Sequence, residues 1–550
     1  MTQRLQRDYF NAKTAEVSQY AESLREQAAP SGTFDSAAAA DFNADTSVKV
    51  PEKLQTVLDE AGDGATKIQK AILDGIGIYE QAHGVNVPAD VVEQAIHAAY
   101  TNTADVRKRI MLDSATSLHH DQLSLQPNRA VVSILSIFAE AIPFAHYLPA
   151  DIGSNEAKLA IMSHKAGSKF GGYEQNALMD GIYSGESYVS AARTHTMVAD
   201  GTADPLTGKI TAIQTDGDHC DPNGGDLKLL RGRTVVYVNG RVAAREVANT
   251  SGAGNSPISG TVVLGGTAFS ISGTVNTDTG AISLTSTPSL PNGASVAVTG
   301  FIDFEAAPNL TPTVISAVQT YPLYANPWRV KARHSIDSRH QMANELGLDP
   351  YGESVIAIQG QFSNERHYDA LRKGRRLAVA NTETFDLNYA GRQTDLVRAQ
   401  MWQDFAYPLA SVSTQMAINT MSYGVSHLYV TKRVAAQLMS LPSTMFQPSG
   451  LSPRAGIYRL GRLFGQYDVY FTPKGLSETT TSSQVLCIGR AHDVARNPIV
   501  LGDAVPPTVL PLAIGDDMSN GAGFYARNFT EVNPHAESSM GFAMIEITGM

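Results

Sequence analysis

Residues 204–305 constrain the fold more than any other stretch of this chain. They are rich in Gly, Thr, Ser and Val and poor in helix formers. Thr234 to Val238 runs into Asn239-Gly240, and Arg241 to Ala243 returns, which is the strongest short-range hairpin signal. Further turns fall at Gly265-Gly266, Asp278-Thr279-Gly280 and Pro291-Asn292-Gly293. Between them lie VVL, FSIS, AISL and SVAVTGFIDF. Short strands at this spacing predict a small all-β domain, a sandwich or barrel. The flanking sequence has helical periodicity, so the chain as a whole predicts an α+β protein carrying an all-β insertion.

On the N-terminal side, residues 1–28 predict a helix, with Phe10, Val17 and Leu24 recurring every seven residues. Residues 29–50 have no period and predict a linker. Residues 52–81 place Ile68, Ile72, Ile76 and Tyr79 on one helix face, weakened by Gly62, Gly64, Gly75 and Gly77. A helix starting near Pro88 would bury Val92, Ala95, Ile96 and Ala99. No large apolar core is legible before about residue 125, so this region is expected to pack on something else or to serve transiently. Residues 157–163 alternate like a strand, and 185–203 predict an extended polar arm. On the C-terminal side, Thr313 to Val318 and Trp328 to His334 are strand-like, and 335–379 is mainly helical. A long helix over 394–420 is expected to kink at Pro408, and 424–550 predicts an α+β region.

With 550 residues, the chain is long enough for several domains. Hydrophobic residues make up 43% and charged residues 17%, which suits globular rather than disordered structure. The net charge of -11 argues against a dedicated nucleic-acid binder and for solubility at high copy number. Cys220 and Cys487 are the only cysteines, so neither a disulfide framework nor a CxxC metal pair is expected. Met1 to Asp8 has no apolar signal segment. Val131 to Phe144 is shorter than the ~20 residues of a membrane span and contains Glu140. A soluble, non-secreted protein is the expectation.

Several segments carry a resemblance to a known family. VNTDTGAISLTSTPSLPNGASVAV (275–298) resembles an inserted β module. PWRVKARHSIDSRHQMANELGLDPYGESVIAIQGQFSNERHYDAL (327–371) resembles a returning E-loop strand followed by a spine helix, with its break at Leu346-Gly347-Leu348-Asp349. GVSHLYVTKRVAAQLMSLP (424–442) and GRLFGQYDVYFTP (461–473) resemble A-domain strands and helix, and GFYARNFTEVNP (523–534) a closing P-domain segment. Their order over roughly 126–550 is similar to the major capsid proteins of tailed bacteriophages, those of T-even-type and large myophages above all. CIGRAHDVARNPIVLGDAVPP (487–507) matches that pattern only loosely, and the N-terminal helical region is distinctive.

The resemblance implies an HK97-like capsid fold with N-arm, E-loop, spine helix, P-domain and A-domain. The implied divisions are 1–125, a helical region that is scaffold-like or cleaved; 126–203, N-arm and first E-loop strand; and 204–305, the β insertion. They continue with 306–334, the returning E-loop strand; 335–423, spine helix and P-domain; 424–500, A-domain; and 501–550, closing P-domain strands. The implied function is a self-assembling, non-enzymatic shell subunit without a cofactor, located in the virion capsid and assembled in the host cytoplasm. Its implied partners are its own copies in hexamers and pentamers, portal, scaffold and decoration proteins, a prohead protease and packaged double-stranded DNA, with no membrane. An encapsulin-like compartment and a tail or adhesin protein with a carbohydrate-binding β domain are the alternatives.

Leu58-Asp59-Glu60 fits the context in which such proteases cut, and Gly62 and Gly64 would supply the flexibility a cut needs. Against this stands a chance tripeptide on a helix. Arg329, Lys331 and Arg333 share one strand face and are expected to meet an acidic neighbouring subunit, against the alternatives of an ordinary solvated face and of DNA contact. Asp216, Asp218, His219, Cys220 and Asp221 include metal-ligand types but lack EF-hand order, so a solvated acidic loop is expected. His119-His120-Asp121 is expected to be a polar helix end, and Trp402 and Phe405 helix core anchors. Catalytic motifs fail: Gly208-Lys209 is followed by Ile210, Gly185-Glu186-Ser187 lacks a nucleophile elbow's second Gly, and no HExxH occurs.

Overall fold

The computed structural model describes residues 15–26, 42, 49–101, 103, 122–151, 153–215, 219–247, 254–345, 350–393, 396–512 and 519–550. It divides into two compact units, Met1–Ala160 with Thr320–Met550, and Ile161–Gln319.

Among the described residues of the larger unit, the helices before the first strand include 15–26, Glu52–Ala61, Ala65–His83, Ala89–Thr101 and Gln122–Glu140. Their apolar faces bury Leu54, Ile68, Ile72, Ile76, Tyr79, Val92 and Ile96. These side chains join one core with Leu486, Ile488, Ile499, Leu501 and Phe542 from the far end of the chain. The region expected to lack a large core, and so to pack on something else or serve transiently, packs on the closing strands: each helix is thin on its own, and its partners lie about 400 residues away in sequence, out of reach of periodicity.

A seven-stranded sheet has the order Thr382–Asp386, Phe542–Thr548, Ser482–Gly489, Val425–Val430, Tyr467–Phe471, Tyr458–Leu463, Phe446–Pro448. It is mixed: the first pair and the Val425–Val430/Tyr467–Phe471 pair are parallel. Both faces are covered, which is why Leu428, Tyr429 and Val430 form an unbroken apolar run. Tyr429 joins the core of the N-terminal helices, while Leu428 and Val430 join Trp402, Phe405, Leu409 and Met416 on the other face. The helix expected over 394–420 is two helices, Arg398–Gln403 and Ala406–Thr420. The break falls before Pro408, whose ring would clash with the carbonyl of Asp404 in a continuous helix; within a first turn, its missing N–H costs nothing.

A four-stranded sheet has the order His146–Tyr147, Ile499–Leu512, Asn520–Val532, Asn326–His334. The 28-residue helix Pro350–Leu377, about 42 Å long at 1.5 Å per residue, lies against it. Phe362 packs on Phe524 and Trp328 at ring-centroid distances of 5.1 and 5.2 Å. The helix break expected at 346–349 lies outside the described residues.

The smaller unit holds an eight-stranded antiparallel sheet: Ala192–Val198, Ser295–Phe301, Val235–Val238, Arg241–Glu246, Asn255–Leu264, Thr267–Asn276, Ala281–Thr287, Leu206–Lys209. Its two end strands approach where Gly208 lies against His195 and Met197; a Cβ at 208 would sit 2.6 Å from the His195 ring. Asn239 and Gly240 make the expected hairpin turn with φ of 47° and 76°. The arm expected over 185–203 is instead a paired strand from Ala192 to Val198. Its inward residues, Arg193, His195 and Met197, include two polar ones, which hid the period-2 signal. Arg193 is fully buried, its guanidinium 4.5 Å above the Phe170 ring and bonded to the Ala212 and Ser190 carbonyls. Glu156–Ala166 and Val314–Tyr324 form a separate two-stranded sheet.

Candidate assembly surfaces

Asn326–His334 is an edge strand. It pairs on one side with Asn520–Val532, with Arg329 opposite Tyr525 and Lys331 opposite Gly523. Alternation turns Trp328 towards the long helix and leaves Arg329, Lys331 and Arg333 exposed together. The Arg329 guanidinium stands 5.8 Å from the Tyr525 ring. The strand can approach its partner because residue 521 is Gly; a Cβ there would lie 1.9 Å from the Ala332 carbonyl oxygen.

Leu58, Asp59 and Glu60 lie in the last turn of the helix Glu52–Ala61, not in an extended segment. Leu58 is buried in the N-terminal core, Asp59 is exposed, and Gly62–Gly64 forms a 3₁₀ turn. A protease would have to unwind this turn to reach it.

The other singled-out residues have structural surroundings. Cys220 donates from Sγ to the Thr194 carbonyl, and His219 stacks on His195 at 4.7 Å. Asp216, Asp218, His119, His120 and Asp121 lie outside the described residues. Among the described residues, no group of three or more His, Cys, Asp or Glu could hold a metal ion. Trp402 and Phe405 are buried, and Trp402 Nε1 donates to Gln437 Oε1 at 3.0 Å. In the smaller unit a cleft of ≈ 30 Å³ opens beside Asp200, Thr202 and Asp204, with room for little more than water. No helix among the described residues is long and apolar enough to cross a membrane.

Sequence reading missed two buried ionic centres. In the first, Arg366 donates to Asp503 Oδ1 and Gln94 to Asp503 Oδ2, each at 2.9 Å. Glu140 belongs to it: burial, against the pull of Arg366 and with the push of Asp503, raises its carboxyl to about 8. In the second, Asp90 accepts from the Tyr147 backbone at 2.9 Å and from Arg490 at 3.3 Å, with His146 Nδ1 also 3.3 Å away. Burial alone would raise Asp90, but His146 and Arg490 prevail and hold it at about 2. Arg366 with Asp503 and Arg490 with Asp90 pair the buried charges, and Gln94 and Asp90 tie the helix Ala89–Thr101 to the strands Ile499–Leu512 and His146–Tyr147. Most of these residues are unremarkable in sequence; Glu140 stands out as a lone charge in an apolar run, and Arg366, after Glu365, as a mark of the segment that resembles a spine helix.

No family model matches the chain, and no curated protein does. Among solved structures it is similar to the icosahedrally averaged capsid of the jumbo bacteriophage PhiKZ, at 9% identity and a TM-score of 0.37, over 74% of this chain and 91% of that one. It is similar to the holo-SrpI encapsulin complex of Synechococcus elongatus at 8% identity and a TM-score of 0.28, over 43% and 79%. A structure from Microbacterium phage Oxtober96 shows 11% identity and a TM-score of 0.30, over 61% and 95%. TM-scores this low carry no argument about what this chain does.

Proposed function

We propose that this chain is a structural shell subunit, the major capsid protein of a tailed bacteriophage. In this reading it assembles into hexameric and pentameric capsomers of an icosahedral head around double-stranded DNA. The observation that carries the reading is the exposed edge strand Asn326–His334 beside the 28-residue helix Pro350–Leu377. An open strand edge leaves a row of backbone N–H and C=O groups for another chain to meet, and the three bases beside it restrict which surface can approach. Such an edge suits a chain that meets many copies of itself. Support also comes from the chain order: a two-stranded ribbon, an intervening β unit, the edge strand, the long helix, then the seven-stranded sheet. Each contact can be weak, because closed symmetric assembly multiplies it. Buried charges spent on one another, rather than lining a cleft, favour a structural role over catalysis. Portal, scaffold and decoration proteins and a prohead protease are the partners this role implies.

Electron microscopy of the purified recombinant chain tests the proposal. Closed shells, tubes or capsomers are the expected result. A monomer that persists at high concentration with scaffold present would count decisively against it.

A further inference from the structure

Two surfaces of the larger unit carry opposite charge. The first is the outer face of Asn326–His334, where Arg329 and Lys331 are exposed beside Arg333. From residue 306 to 336 the chain contains no acidic residue. The second is the last turn of the helix Glu52–Ala61 together with the 3₁₀ turn Gly62–Gly64 that follows it. It holds Asp59, Glu60 and Asp63, and no base occurs from 54 to 66. Asp59 and Asp63 are exposed. Among the described residues, Arg329, Lys331, Asp59 and Asp63 form no ion pair. Both surfaces sit on stiff supports: the strand on a paired sheet, the turn on Leu58, which is 8% exposed and packed in the core.

We propose that the basic face of Asn326–His334 in one copy docks the acidic turn Asp59–Asp63 of a second copy. The proposal rests on the shell reading and names the partner surface for its edge strand. Complementary charge selects the turn, while the row of bases discourages indiscriminate strand pairing at the same edge. Because the two patches differ, the contact is head-to-tail, and a head-to-tail contact repeats around a ring. It also requires the Glu60–Ala61 bond to stay intact, since a cut there would separate Asp59 from Asp63. Packaged DNA is a poorer occupant for the basic face, because the chain's net charge of -11 opposes phosphate.

Charge reversal on the full chain tests this. R329E/K331E and D59K/D63K are each expected to lose shell assembly while keeping the wild-type circular dichroism spectrum. The four-fold variant combining them is expected to recover it. Recovery supports the contact. If the wild type assembles and both reversed variants do too, the proposal falls and the shell reading stands. Failure of a correctly folded combined variant overturns it as well. Shells of R329E/K331E that form normally but lose only their DNA would reassign the basic face to phosphate and overturn it. A wild type that never assembles sinks both readings. Should a reversal unfold the chain, R329Q/K331Q and the salt dependence of wild-type capsomer association decide. Association unchanged by salt would overturn the contact, because exposed charge pairs are screened. A mature shell chain beginning at Ala61, seen by mass spectrometry, would do the same.

Discussion

His83, His367 and His427 come from three elements and meet around two tyrosines. His83 Nδ1 and His367 Nε2 lie 3.0 Å from the hydroxyls of Tyr470 and Tyr429, whose rings stack at 5.3 Å. Phe144 packs edge-on against Tyr429. Burial, aided by Arg459 and Arg454, lowers His83 to about 4. Burial and then His83 lower His367 to about 3. Burial and then Arg490 lower His427 to about 3, with Asp468 opposing. The fold therefore holds all three neutral. Their stability contribution is complete above the unfolded value near 6.5 and is lost as pH falls from there towards 4 and 3. Glu140 runs the other way. The fold keeps a proton that the unfolded chain releases above 4.5, so stability falls as pH rises from 4.5 to about 8. The two effects oppose, so single-site variants separate them. Glu140→Gln is expected to raise the urea midpoint at pH 8 and leave it nearly unchanged at pH 4.5; equal midpoints at pH 8 would refute the assignment. His367→Gln is expected to flatten the loss of stability between pH 6 and 4, read the same way. Arg366→Ala leaves Asp503 buried without its cation and is expected to cost about 3–5 kcal/mol in urea denaturation.

Two glycines of the helix Ala65–His83 show how an element is judged by what it meets. Both look like defects in a helical pattern. A Cβ on Gly75 would sit 2.2 Å from the Phe138 ring, because this helix crosses Gln122–Glu140 there. Gly77 faces open space. Gly75→Ala is expected to destabilise by about 1–3 kcal/mol through overpacking, despite alanine's better propensity. Gly77→Ala is expected to stabilise by about 0.5–1 kcal/mol. Thermal denaturation of the pair decides; the same sign for both would contradict the crossing. The strand Ala192–Val198 teaches the complementary lesson. An arginine and a histidine occupied its inward positions, so hydrophobic alternation could not reveal it.

The molecule has two units, each with its own apolar core. Calorimetry of the unassembled chain is expected to resolve two transitions, and one cooperative transition with equal calorimetric and van't Hoff enthalpies would refute this. Legibility in the sequence followed range. Asn239-Gly240, the helix after Pro88, the long helix through Phe362 and the exposed row Arg329/Lys331/Arg333 were readable, because turn chemistry and periodicity act within a few residues. The sequence by itself determined those elements, the α+β class and the charges available for contact. Only the tertiary structure decided that the N-terminal helices share a core with the closing strands, and that Leu58-Asp59-Glu60 ends a helix. It also decided that Gln94 meets Asp503 across 409 residues of chain. A buried polar group takes whichever partner the packed fold brings within about 3 Å, and no local pattern encodes that choice.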